Sequence, residues 1–196
     1  MLDELARQIE ALLVATDSPV TTDRICELIG CGTESAEQAV QRIEAELASG
    51  GHSIIVARLA GGFRIVTDPE LGFVVGQLFE GRRHSRLSRA SLETLAVIAY
   101  RQPATRAQIE VVRGVNSDSA MRTLLERDLV KIAGRQETPG RPLLYGTTQK
   151  FLEYFGLNSI MHLPRIDEID GLLKLSAEDL ERAASEVTEE EIDQTQ

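Results

Sequence analysis

The sequence predicts an α+β, mostly helical protein built from two tandem winged-helix domains followed by an acidic C-terminal tail, and three observations predict it. One order of signals (a helix, a proline turn, two more helices, a hairpin) occurs twice in the 196 residues. The copies keep phase, because Pro19 and Pro103 are 84 residues apart and so are Ile25 and Ile109. Charge is also segmented: residues 1–80 hold 13 acids and 5 bases (net −8), residues 81–164 hold 7 and 13 (net +6), and residues 165–196 hold 11 and 3 (net −8). A basic domain is thus bracketed by acidic sequence, and the formal total of −10 does not by itself exclude a locally basic binding face.

In the first copy, Leu2, Leu5, Ile9, Leu12 and Leu13 recur at helical spacing and predict a helix over 2–16. Asp17-Ser18-Pro19 breaks it. Thr21 is the expected cap of a second helix over 21–29, with Ile25, Leu28 and Ile29 inward. Ser35 and Gln38 have capping-box spacing ahead of Val40, Ile43 and Leu47, which predicts a third helix over 35–49. This helix holds the recognition position of a helix-turn-helix, yet Glu37, Glu44 and Glu46 oppose Arg42 on it and Glu34 precedes it. A phosphate backbone is repelled by such a face, so DNA reading through this helix is not expected. Residues 54–59 and 63–67, joined by Ala60-Gly61-Gly62, predict the wing hairpin. A short helix is expected over 71–79, with Leu71, Val74, Val75, Leu78 and Phe79 apolar and Gly72 and Gly76 one turn apart. Each glycine costs a helix about 1 kcal/mol relative to alanine. Close approach of another element is one explanation for them, and a frayed helix is the other.

Residues 81–89 (GRRHSRLSR) join the copies and read either as a solvated linker or as a contact for nucleic acid or an acidic partner. Ser88 caps the next helix, with Leu87 and Leu92 at the positions of a hydrophobic staple. After Thr94 this helix (88–100) is apolar nearly all round, which exceeds what one core needs and predicts a second contact. Arg101-Gln102-Pro103 forms the turn. Thr105 and Gln108 again have capping-box spacing, ahead of Ile109 and Val112 in a helix over 105–113. Ser117 opens a helix over 117–130 carrying Met121, Leu124, Leu125 and Leu129 inward, and Arg122, Glu126, Arg127 and Asp128 outward. That mixed set lacks the Asn, Gln and Lys cluster suited to base edges. A hairpin over 131–148 forms the second wing, with Arg135 and Arg141 pointing from a tip fixed by glycine and proline. Phe151, Leu152 and Phe155 begin a closing helix capped by Gly156. The segment 165–196, rich in acids, is expected to be largely disordered.

Several function classes are excluded or unsupported. Cys26 and Cys31 permit no disulfide framework and are expected as inert, reduced thiols, while His52, His84 and His162 are scattered away from any ligand spacing. No partnered nucleophile, ligand cluster or phosphate loop emerges, so no enzyme activity, cofactor or metal is expected. No apolar stretch approaches a membrane span. A cytoplasmic protein is expected.

The residues then carry a resemblance. Leu87-Ser88 through Tyr100-Arg-Gln-Pro-Ala-Thr-Arg106, Arg113-Gly-Val-Asn-Ser-Asp118, Gly134-Arg135, Pro139-Gly-Arg-Pro-Leu-Leu-Tyr-Gly-Thr-Thr148 and Phe151-Leu-Glu-Tyr-Phe-Gly-Leu157 resemble the bacterial segregation and condensation protein B family. The match is dense over 87–164. Over 1–80 it rests on the architecture and on the wing Gly61-Gly62-Phe-Arg-Ile-Val-Thr67. Gln108 stands where members often have an acid, and Ile160-Met161-His162 replaces a more usual leucine and acidic pair. The resemblance implies a non-enzymatic, nucleoid-associated homodimer that binds the kleisin subunit, segregation and condensation protein A. Through the kleisin it joins the ATPase of a structural-maintenance-of-chromosomes (SMC) complex that condenses and partitions chromosomes in cell division.

The expected domains are 1–80, an N-terminal winged helix for dimerisation; 81–87, a basic linker; 88–164, a C-terminal winged helix for kleisin binding; and 165–196, the tail. Val97 and Tyr100 are the expected apolar anchors for the kleisin, with Arg101, Arg106, Arg113 and Arg141 as a charged rim. For Tyr100, Arg106 and Arg141 a place in the domain's own core or wing is the competing reading. Gly72, Gly76 and Phe79 are the dimer-interface candidates. DNA is expected to bind only weakly or indirectly. A DNA-binding winged-helix transcriptional regulator using the +6 domain is the alternative function.

Overall fold

A computed structural model describes residues 2–79 and 87–165. The basic linker apart from Leu87, and the acidic tail from 166 onward, lie outside the described residues. Both winged helices belong to one compact body, Met1–Ile160.

The first winged helix runs α1 (Glu4–Val14), β1 (Val20–Thr21), α2 (Thr22–Ile29), α3 (Thr33–Ser49), β2 (Ile54–Leu59) and β3 (Gly62–Thr67). After a 3-10 turn at Pro69–Leu71 comes α4 (Gly72–Gln77). The second repeats the order as α5 (Arg89–Arg101), β4 (Ala104–Thr105), α6 (Arg106–Arg113), α7 (Asp118–Glu126), β5 (Val130–Arg135) and β6 (Leu143–Thr147), closed by α8 (Gln149–Phe155). Each half holds a three-stranded antiparallel sheet, ordered β1-β3-β2 and β4-β6-β5. The 84-residue phase extends to β1 and β4, to both ends of α2 and α6, and to the left-handed caps Gly30 (φ 78°) and Gly114 (φ 71°).

The two-residue strands β1 and β4 have no sequence signal of their own. Val20 opposes Phe63 and Thr21 opposes Gly62, while Ala104 opposes Tyr145 and Thr105 opposes Leu144. Gly62 is required here: a Cβ on it would lie 2.7 Å from the Val20 carbonyl oxygen. Aliphatic side chains fill both cores. Ile9, Leu13, Ile25, Val40 and Ile43 gather around Phe63 in the first, and Leu95, Ile98, Ile109, Leu124, Leu129 and Val130 are buried in the second.

The caps at Thr21, Ser88 and Thr105 form as the sequence indicates, with the full reciprocal box at Thr105 and Gln108. The third does not. α3 begins two residues before Ser35, after Gly32, and Gln38 donates along the helix to Glu34 (3.4 Å) instead of reaching back to a cap. α7 ends at Glu126 rather than at 130, because Asp128 adopts φ 57° and Leu129 N–H returns to the Leu124 carbonyl (3.0 Å). Val130, the last residue assigned to that helix, instead starts β5, and residues 127–129 form the turn before it.

Candidate partner-binding surfaces

α5 carries the apolar surplus that its composition predicts. Ser91, Thr94, Leu95, Ile98 and Ala99 are buried, which turns Leu92, Ala96 and Tyr100 outward one turn apart, with Val97 half-buried beside them. Tyr100 is 37% exposed, and Arg101 extends the exposed surface at the helix end. The last turn is held in place by Gln102, whose Oε1 accepts from Thr147 N–H (2.7 Å) and Thr147 Oγ1 (3.0 Å) on β6. Val97, Tyr100 and Arg101 thus share one end of α5. Arg141 sits apart at the exposed tip of the second wing, where its carbonyl accepts from Arg135 Nη1 (3.2 Å).

Arg106 and Arg113 enter a different arrangement, one that spacing alone does not reveal. The Arg113 side chain is only 6% exposed. Its Nη1 donates to Ser117 Oγ (3.0 Å), its Nη2 to Glu93 Oε2 (3.2 Å), and its Nε is buried with no hydrogen-bond partner. Arg106 Nε donates to Glu110 Oε1 (2.9 Å), which also accepts Ser117 N–H (3.0 Å), and Arg106 pairs in addition with Asp118. The network ties α5, α6 and the start of α7 together, and it leaves Ser117 without the capping bond to its own helix. Arg113 therefore lies within this network, away from any solvent-facing rim. Arg106 reaches a groove of about 730 Å³ lined also by Asp118, Met121, Arg122, Leu125 and Tyr145, and it is the one member of the six partner-binding candidates found there.

These ion pairs set a pH dependence. Hydrogen bonds from Arg113 and then Arg89 hold the Glu93 carboxyl below its ordinary range; the Ser117 backbone N–H and then Arg106 do the same for Glu110. A folded-state pKa below the unfolded one contributes stability above the unfolded carboxylate range, and that contribution is lost as pH falls through the depressed folded values. The melting temperature should hold from neutral pH to about pH 5 and fall below it. Glu110→Gln should start lower and lose less over the acid limb. Parallel curves for parent and variant would remove Glu110 from this account.

α4 offers the second apolar surface. Phe73 is 80% and Leu78 76% exposed, and Leu71, Val74 and Phe79 are exposed with them. A Cβ on Gly72 or Gly76 would meet nothing within 4 Å, so no other described element of this chain approaches α4 closely at either glycine.

The recognition-position helices differ from DNA readers. On the first, Glu37 and Glu44 are bridged by Arg58 of β2 (3.1 and 3.4 Å), whose guanidinium lies over the Phe63 ring. On the second, Arg122 and Glu126 line the groove together. Among the described residues no group of three or more His, Cys, Asp and Glu side chains is placed to hold a metal. No described helix is long and apolar enough to cross a membrane.

Comparison with known proteins supplies the remaining context. The chain is 46% identical over 162 residues to segregation and condensation protein B of Symbiobacterium thermophilum, covering 83% of this chain and 73% of that protein. It is 42% identical over 173 residues to the protein of the same name from Syntrophotalea carbinolica, covering 88% and 87%. Among solved structures it is similar, at 20% identity and a TM-score of 0.35, to a dimer of an ScpB N-terminal domain complexed with a ScpA peptide, covering 37% of this chain and 91% of that one. The family model described as segregation and condensation complex subunit ScpB matches residues 7–166, and the chain belongs to that family.

Proposed function

We propose that this chain is a non-enzymatic subunit of a condensin-like SMC complex. It acts as a homodimer that binds the kleisin subunit, segregation and condensation protein A, and through it the SMC ATPase, in chromosome condensation and partition. The winged helix within 1–80 carries the dimer contact on α4, and the one within 88–164 binds an amphipathic kleisin segment along α5. The observation that supports this most is the placement of two apolar surfaces, one on each winged helix, on a chain of this family. Helix-in-groove recognition then desolvates the apolar anchors, while the flanking charges set register.

Co-purification with the kleisin, followed by mass measurement of the complex, tests the reading, and fragments 1–80 and 87–164 tested separately assign the contact. Capture of the kleisin by 1–80 alone would move it to the first winged helix. The net charge of +6 on 81–164 favours the regulator as the alternative. An anisotropy titration separates the two: duplex DNA should bind no tighter than about 10⁻⁶ M at physiological salt and without sequence preference. A sub-micromolar, sequence-specific complex would favour the regulator.

A further inference from the structure

We infer that the first wing is an intramolecular latch, whose tip docks on the C-terminal cap of α8 and sets the pose of the two winged helices relative to each other. β2 and β3 are joined by the two-residue turn Ala60-Gly61, with φ of 53° and 77° and Leu59 opposite Gly62. This is the mirror-image turn of a tight hairpin, which leaves the tip's own N–H and C=O groups facing outward. In an isolated hairpin they would face water. Here three of them are taken up by the second winged helix: Ala60 N–H donates to the Leu157 carbonyl (2.8 Å), Gly61 N–H donates to Asn158 Oδ1 (3.0 Å), and the Ala60 carbonyl accepts from Gln149 Nε2. Ala60 is 3% exposed as a result.

The receiving surface is built by the end of α8. Gly156 adopts φ 68°, Leu157 N–H folds back to the Leu152 carbonyl (2.8 Å), and this cap turns the chain so that the Leu157 carbonyl and the Asn158 side chain meet the wing. Gln149, the first residue of α8, closes on the tip from the other end of the helix. A left-handed alanine is unfavourable in a free turn. Its presence, fully covered, at the contact is what a docked tip accommodates. Three hydrogen bonds at a single turn hold the tip, so their loss would free the pose of the two winged helices. Docking also removes the first wing tip from the surface a winged helix would offer to a nucleic-acid groove.

Residue-resolved hydrogen exchange and ¹⁵N relaxation on the full chain test the latch. In the parent, the Ala60 and Gly61 amides should exchange at least roughly tenfold slower than unprotected amides, and both winged helices should tumble together. In the Gln149→Ala, Asn158→Ala double variant that protection should be lost and tumbling should decouple, while core amides such as Ile43 in α3 stay protected. Unprotected Ala60 and Gly61 amides in the parent overturn the proposal, and so does a double variant whose protection and tumbling match the parent. Should the double variant lose its core protection, the parent measurement decides alone.

Discussion

A chain carrying Phe73→Asp is expected to sediment as a monomer at concentrations where the parent is a homodimer. Phe73 is largely exposed in the protomer, so a charge there costs the isolated fold little. Buried against a second copy, the same carboxylate has no partner. The dimer should weaken by about 3 kcal/mol, more than a hundredfold in its dissociation constant. Gly76→Leu separates interface from fold by sign. A Cβ at Gly76 meets nothing within the protomer, and glycine is a poor helix residue, so the protomer should gain up to about 1 kcal/mol. Close packing of a partner at that glycine would make the same change weaken the dimer by steric clash. Equilibrium sedimentation and a thermal melt read the two effects independently. A Phe73→Asp chain that remains a dimer with the parent's affinity would place the interface off α4.

How far the fold was legible depended on whether a signal was local. Capping at Thr21, Ser88 and Thr105, the 84-residue phase and the aliphatic stripes were read directly, because each is written within a few residues of sequence. β1 and β4 were not, since two residues become a strand only through the β3 and β6 partners opposite them. Ser35 and Gln38 had the spacing of a box, but Gly32 was the residue with non-helical dihedrals, and the box competes with an ordinary Gln38–Glu34 pair. For the candidate site, the apolar excess of α5 was legible as an excess. Its direction required knowing which residues the core takes, and that shifted the emphasis from Val97 toward Leu92, Ala96 and Tyr100. Arg113 had the least local signal of the six partner-binding candidates. An arginine at the end of an amphipathic helix usually faces water, and the carboxylate that draws this one inward is Glu93, on the preceding helix. The docked tip at Ala60 had no sequence signal beyond its glycines, because its partners lie about a hundred residues away.

Tyr100→Ala should reduce kleisin affinity by about 2 kcal/mol, roughly thirtyfold, while the melting temperature stays within a few degrees of the parent. A tyrosine at the centre of an interface is a common hot spot, since its ring is large and loses little conformational freedom on binding. The charged companion for this test is Arg101. Arg106 already holds Glu110 and Asp118, so reversing its charge would set three carboxylates together and unbalance the network that joins α6 to α7. A fall in affinity after Arg106→Glu would then report lost structure as readily as a lost contact. Arg101→Glu lies at the exposed end of α5, beside Tyr100, and should slow association and steepen the loss at low salt, as a rim charge does. The two substitutions act on different quantities, one on the desolvated anchor and one on steering, and for that reason the pair is informative. Tyr100→Ala with unchanged affinity would move the kleisin to another face. A loss of affinity matched by a fall of many degrees in melting temperature would return Tyr100 to the packing of its own domain.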